Sequence, residues 1–426
     1  MNNSGELQDL KNQLIDKYTG VRHITEQLCE PLETEDFIVQ SMPDVSPTRW
    51  HLAHTTWFFE TFILKPELKD YKTPNKLYNY LFNSYYNAVG QQYPRAQRGH
   101  LSRPTVKEIY DYRQHVDSEI MRLIETLDER GMSDLLAVFT LGLNHEQQHQ
   151  ELMLTDIKHV FSQNPLYPAY QNIEQIYKSQ STPGLHWVAF DGGHIQQGFS
   201  GEAFSFDNET PQHDILLQPF ELANRLVTNG EYLSFIEDGG YGQAQLWLSD
   251  GWALIQKEGW KSPLYWIQSE NQWFEFTLTG LVPLNLNSPV THVSYYESDA
   301  YANWCEARLP SEYEWEHASS NLPIEGNFVH NEKFHPMPNG SSSTSELSQM
   351  FGDVWEWTRS PYSPYPGFKS ASDAIGEYNG KFMSSQMVLR GGSCASSSDH
   401  LRSTYRNFFY PQSRWQFMGI RLARDV

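Results

Sequence analysis

His145 and His149 stand four residues apart in DLLAVFTLGLNHEQQHQELMLTDIKHVF, a segment of helical periodicity with no breaker except Gly142. On a helix that spacing sends both imidazoles from one face, one turn apart, where they can chelate one cation. A third ligand has to come from another helix, and TRWHLAHTTWFFETFIL offers His51 and His54. His54 is preferred, since it shares a stripe with the core-like Trp50, Trp57 and Phe58. His51 is expected behind the ligands or at the surface. One histidine on an apolar helical face is usually a satisfied core residue, but three on two helices of one bundle, with Gln148 and Glu151 beside them, favour a ligand set. Imidazole suits Zn, Fe, Cu and Ni alike, so the ligands do not name the metal. HEQQH also fits the zincin pattern HExxH through His145, Glu146 and His149, which keeps a metalloprotease open. Zincins usually take their third ligand downstream, whereas the strongest candidate here lies upstream.

The elements that must position these residues follow from periodicity and punctuation. From Leu7 to about Leu32, apolar residues recur at three and four, as in a helix. Ser46-Pro47 opens a second helix, which carries His51 and His54 and is ended by Lys65-Pro66. After a polar, tyrosine-rich passage (66–103), Pro104 opens a third helix reaching Gly131, and Ser133 caps a fourth. Four helices predict a bundle over residues 1–165. Residues 166–184 mix Pro, Ser, Gln and Asn without period, as a linker does. Over 185–426, short strand-like runs (HWVAF, DILLQPFELANRL, VLRGG, MGIRLAR) alternate with loops, predicting an irregular α+β domain; SSSTS at 341–345 reads as a polar loop.

The 426 residues suit two domains. A formal net charge of −21, with scattered Lys and Arg, gives no basic stripe for nucleic acid or anionic lipid. No segment approaches the roughly 20 apolar residues of a membrane span, and MNNSGELQDL lacks the order of a secretion signal, so a cytoplasmic protein with no membrane partner is expected. Three widely spaced cysteines (Cys29, Cys305, Cys394) predict buried thiols rather than disulfides or a zinc knuckle. Aromatic content of 14%, including 13 Trp, suits aromatic-lined clefts as well as a core.

WHLAHTTWFFE and NHEQQHQE in the bundle, followed by RLPSEYEWEHA, GDVWEWTRSPY, VLRGGSC, RSTYRNFF and GIRLAR, resemble the iron-dependent sulfoxide synthases of ergothioneine biosynthesis over nearly the whole chain. The resemblance implies a fold of α plus α+β: a DinB-like four-helix bundle, then a domain of the formylglycine-generating-enzyme type with a C-type-lectin-like core. It implies iron(II) on His54, His145 and His149, and no nucleotide cofactor. The small-molecule substrates implied are dioxygen, cysteine and the histidine betaine hercynine. Gln148 matches the residue that hydrogen-bonds the hercynine imidazole, and Asn407 and Phe408 match positions lining its pocket. Arg95 and Arg98 fall where the family grips the carboxylate of the thiol. Tyr85 and Tyr86 resemble a tyrosine pair of the cysteine-using subgroup, one of which would supply a proton or hydrogen atom.

The reaction implied is oxygen-dependent C–S bond formation with sulfoxidation, giving hercynylcysteine sulfoxide. In one departure, RSTYRNFF lacks the reactive cysteines of formylglycine generation, so the second domain is expected to wall a substrate pocket rather than catalyse. Alternatives are γ-glutamylcysteine as donor, a selenoneine synthase taking a selenosugar, or a zinc-dependent DinB-like hydrolase or thiol transferase. A lectin-like binding protein would leave the histidines without purpose. Self-association into a homo-oligomer stays open.

Overall fold

The structure is a computed structural model describing residues 3–172, 181–340, 346–370 and 374–426. Part of the expected linker (173–180) and the expected polar loop at 341–345 lie outside the described residues. Two compact units result: Met1–Gln163 with Ala371–Tyr378, and Asn164–Ser370 with Asn379–Val426.

The first unit is helical. Its long helices are α1 (Asn3–Gln27), α2 (Thr48–Phe59), α5 (Val106–Thr126) and α6 (Glu129–Ser162), with short α3 (Lys65–Glu67) and α4 (Tyr78–Phe82) between. Every residue of α2 is buried, the signature of a helix enclosed on all sides. It packs on α5 and α6. Gly142 permits the close approach to α6: a methyl group there would stand 2.9 Å from the Phe59 ring and 3.1 Å from that of Phe58.

Local chemistry moves three boundaries from the sequence reading. Lys65-Pro66 lies within the last turn of the helical run rather than after it: Pro66 falls at the start of the three-residue α3, the run ends at Glu67, and Leu68 is extended. Between α2 and α3 runs a π turn, Glu60–Leu64, in which the Lys65 N–H reaches Glu60 O. It places the Glu60 carboxylate inside, where Tyr112, Tyr71 and Lys65 donate to it at 2.8, 2.9 and 3.1 Å. The third helix is capped by Thr105 rather than opened by Pro104: the Thr105 hydroxyl accepts from the Glu108 N–H, and the Glu108 carboxylate from the Thr105 N–H. The fourth begins at Glu129, because the Asp128 carboxylate accepts the Gly131 N–H at 2.8 Å; Gly131 belongs to the first turn and Ser133 caps nothing. The passage 66–103 holds α4 and a 3-10 turn, Arg95–His100.

Two expected domain limits also change. Tyr170 and Gln171 donate their backbone N–H groups to Leu278 O at 2.9 and 3.1 Å, so the start of the expected linker packs on the second unit. Conversely, the stretch ending at Tyr378 groups with the helices, because Glu377 accepts the N–H groups of Asn87 and Ala88 and Tyr378 donates to Gln148.

The second unit is α+β. Trp187–Phe190, Phe220–Ala223 and Ala423–Asp425 form one antiparallel sheet, with the strand from near the C-terminus beside Phe220–Ala223. A second sheet orders Asn407–Phe409, Met387–Arg390, Trp355–Pro361 and Met418–Gly419, the last pairing parallel. Its motif residues are scaffold. The Arg421 guanidinium pairs with Glu356 at 2.8 and 2.9 Å, Trp315 Nε1 donates to Glu356 at 2.8 Å, and Arg390 and Arg406 share Glu312. Removing one partner of such a pair strands a buried charge. Arg421→Met should therefore lower the stability of the second unit by about 3–5 kcal/mol, seen as a reduced urea midpoint with an unchanged slope.

Candidate metal centre

His54 on α2 and His145 and His149 on α6 are all buried, with one nitrogen of each within 4.8 Å of the others. His54 Nδ1 lies 2.6 Å from the Phe82 carbonyl, an obligate acceptor, so Nδ1 carries the proton and the lone pair is on Nε2. That Nε2 stands 3.1 Å from His145 Nε2. Two nitrogens each about 2.1 Å from one ion, at right angles, would lie about 3.0 Å apart, so the donor set fits a transition metal. Burial pushes all three imidazoles below their ordinary protonation range, His145 to about 3, and for His54 and His149 the neighbouring imidazoles push further. Neutral rings with free lone pairs are the form that binds metal.

Other residues singled out in the sequence lie in the helical unit with them. Trp50 stacks on His54 with ring centroids 4.6 Å apart, and the Arg98 guanidinium carbon lies 3.3 Å from the Trp50 ring centre. Arg98 is 3% exposed and donates to Ser46 Oγ at 2.8 Å; its Nε is buried without a hydrogen-bond partner, and no carboxylate pairs with it among the described residues. Burial and then the nearby Arg95 hold its proton affinity well below the usual guanidinium value. Arg95 itself is exposed. The Tyr85 and Tyr86 rings stack at 4.6 Å with their hydroxyls 3.4 Å apart, and burial raises the Tyr86 phenol well above its usual range, keeping it protonated. In the second unit, Asn407 and Phe408 are half-buried on an edge strand, Phe408 stacked 4.1 Å from Tyr362.

Sequence reasoning missed two residues, Tyr378 and Asp156. Tyr378, far along the chain, donates to Gln148 Oε1, and its ring lies 5.8 Å from that of His145. No spacing could have announced it. His51 takes the first of the two places expected for it, behind the ligands: it is buried against His149, and Asp156 accepts from it. Asp156 did carry a signal: it follows His149 by two helical turns.

Glu146 decides against the protease alternative. Its carboxylate is wholly buried between Arg22 at 2.9 Å and Arg113 at 2.7 Å, and also accepts the Thr25 hydroxyl at 2.7 Å. A zincin glutamate must be free to take a proton from a metal-bound water, and this one is already committed to two guanidinium groups.

The DinB superfamily matches residues 17–153, and the Sulfatase-modifying factor enzyme 1-like domain matches 173–339 and 321–426. The chain thus combines a DinB-type helical unit with a sulfatase-modifying-factor-type α+β unit. The hercynine oxygenase of Mycobacterium tuberculosis is 32% identical over 95% of this chain and 98% of its own length. That of Mycolicibacterium thermoresistibile is also 32% identical, over 98% and 95%. Ergothioneine biosynthesis protein 1 of Schizosaccharomyces pombe is 27% identical over 52% of this chain and 28% of its own. This chain belongs to the hercynine oxygenases, the sulfoxide synthase family of ergothioneine biosynthesis, and is an oxygenase. No helix among the described residues is long and apolar enough to cross a membrane.

Burial alone would raise the Glu146 carboxyl, but Arg113 and Arg22 hold it down to about 2. A carboxyl depressed in the folded state contributes stability above its unfolded value near 4.5 and loses it as pH falls toward 2. Metal-free protein should thus lose on the order of 3 kcal/mol of stability between those limits through this group, a slope that denaturation curves of Glu146→Gln should lack.

Proposed function

We propose that this protein joins cysteine sulfur to the imidazole ring of hercynine and oxygenates that sulfur, with iron(II) on His54, His145 and His149. The observation that carries this reading is the convergence of three neutral imidazoles beside a buried guanidinium with no carboxylate partner, in a chain that belongs to the hercynine oxygenases. The reaction takes a ring C–H, a thiol S–H and dioxygen to a C–S bond, an S–O bond and one water. The two substrates supply all four electrons, so no nucleotide reductant enters. Iron(II) held by His54, His145 and His149 would supply the redox chemistry that dioxygen requires.

The chain's own groups account for the rest. Arg98, held flat on Trp50, presents its free N–H to the carboxylate of the thiol substrate, with Arg95 near enough to add to the attraction. An anion there relieves the repulsion between the two guanidinium groups. The Tyr378 hydroxyl donates to Gln148 Oε1 and orients the side chain that the family's motif assigns to the hercynine imidazole. The buried Tyr86 phenol keeps its proton, and the Tyr85 hydroxyl stands next to it, so the pair can pass a proton toward the reacting oxygen. Asn407 and Phe408 are assigned to hercynine on the family's motif; an aromatic face attracts a quaternary ammonium by about 1–2 kcal/mol. Free thiols and the acidic surface charge accord with a cytoplasmic enzyme of small molecules, without nucleic-acid partners.

Iron(II)-loaded protein given hercynine, cysteine and air should consume oxygen and form hercynylcysteine sulfoxide, identified by mass, while His54→Ala and His149→Ala should not. Parallel reactions with γ-glutamylcysteine and a selenosugar decide the donor. Oxygen uptake absent with every donor would refute the synthase reading and favour zinc chemistry. Arg98→Leu should raise KM for the thiol at least tenfold, the loss of a charge-assisted contact worth about 1.5–3 kcal/mol, while KM for hercynine stays within a few fold in steady-state kinetics.

A further inference from the structure

Beyond the three ligands, α2 and α6 carry a second pair of buried side chains. His51 and Asp156 are 2% and 3% exposed. His51 Nδ1 lies 2.8 Å from His149 Nδ1, and His51 Nε2 lies 3.0 Å from Asp156 Oδ2. The same oxygen accepts the Ser46 N–H at 2.8 Å, which anchors the carboxylate at the start of α2. An ionised carboxylate only accepts, so His51 must place an N–H at Nε2; in the neutral ring Nδ1 is then an acceptor. Two N–H groups cannot face each other at 2.8 Å, so the atom that completes the contact is an Nδ1–H of His149. That proton position leaves the His149 lone pair on Nε2.

We infer that Asp156 and His51 form a buried chain that fixes the proton on His149 Nδ1 and so commits Nε2 to the metal, making His51 a positioning residue. The inference rests on the reading of His54, His145 and His149 as ligands. The three ligands are then held differently. His54 donates to the Phe82 carbonyl, His149 to another side chain, and His145 Nδ1 has no hydrogen-bond partner among the described residues. His149 is therefore the ligand whose orientation a single side-chain substitution can release.

The test is cobalt(II) binding to the metal-free full-length protein, read by ligand-field absorption and chelator competition, in three variants. His51→Asn puts an amide oxygen near the place of Nδ1 and can still accept from His149. His51→Gln puts its amide at the Nε2 end and keeps only Asp156, while His51→Leu keeps neither. The expected result is affinity within about threefold of the parent for His51→Asn, and losses of about 10- to 100-fold for the other two. In ¹⁵N-histidine spectra of metal-free protein, His149 should be protonated at Nδ1 in the parent and in His51→Asn. Equal affinities across the three variants, or a His149 protonated at Nε2 in the parent, would overturn the inference. If His51→Leu fails to fold, the Asn and Gln variants decide alone. A parent protein that takes up no cobalt would instead overturn the three-histidine reading.

Discussion

Where α2 meets α6, imidazoles stripped of solvent lie too close together for any of them to hold a second proton. Burial penalises the charged ring, each neighbour adds to the penalty, and His145 accordingly titrates only near 3. Much of the helical unit answers to that constraint. An enclosed α2 excludes water from His54, Gly142 lets the two helices close, and the Phe82 carbonyl settles which His54 nitrogen faces inward. The same dehydration acts on Arg98, whose guanidinium has no carboxylate paired with it among the described residues and whose Nε is buried without a hydrogen-bond partner.

Buried charge is handled in two ways in this chain. Glu146, Glu356 and Glu312 are each closed by one or two guanidinium groups within about hydrogen-bond length, and such networks fix geometry rather than react. Arg98 is the contrasting case: its charge is supported by a hydroxyl and an aromatic face, not by a carboxylate. Motif membership alone does not draw this distinction, since Glu146 sits between His145 and His149 in sequence yet is closed by Arg22 and Arg113.

Much of the fold was legible because its signals are local. Apolar spacing gave the four long helices, and the strand-like runs HWVAF and VLRGG appear as Trp187–Phe190 and Met387–Arg390. Helix ends were less legible, because caps depend on which of several nearby side chains reaches a free N–H: Thr105 and Asp128 won over Pro104 and Ser133. Pro66 reads as a stop in sequence, and the helical run ends one residue beyond it, at Glu67, with Leu68 extended.

By itself the sequence determined that His145 and His149 share a face, since a four-residue step on a helix permits nothing else, and it offered His51 and His54 in TRWHLAHTTWFFETFIL as candidates to stand with them. Only the tertiary structure decided which imidazole nitrogens meet, that His51 stands behind His149 with Asp156, and that Glu146 turns away to Arg22 and Arg113. It alone joined Tyr378 to Gln148 across 230 residues of chain. Side-chain direction within one helix follows from 3.6 residues per turn, whereas the partner of a buried polar atom is set by whichever element packs against it, and that is not written in spacing.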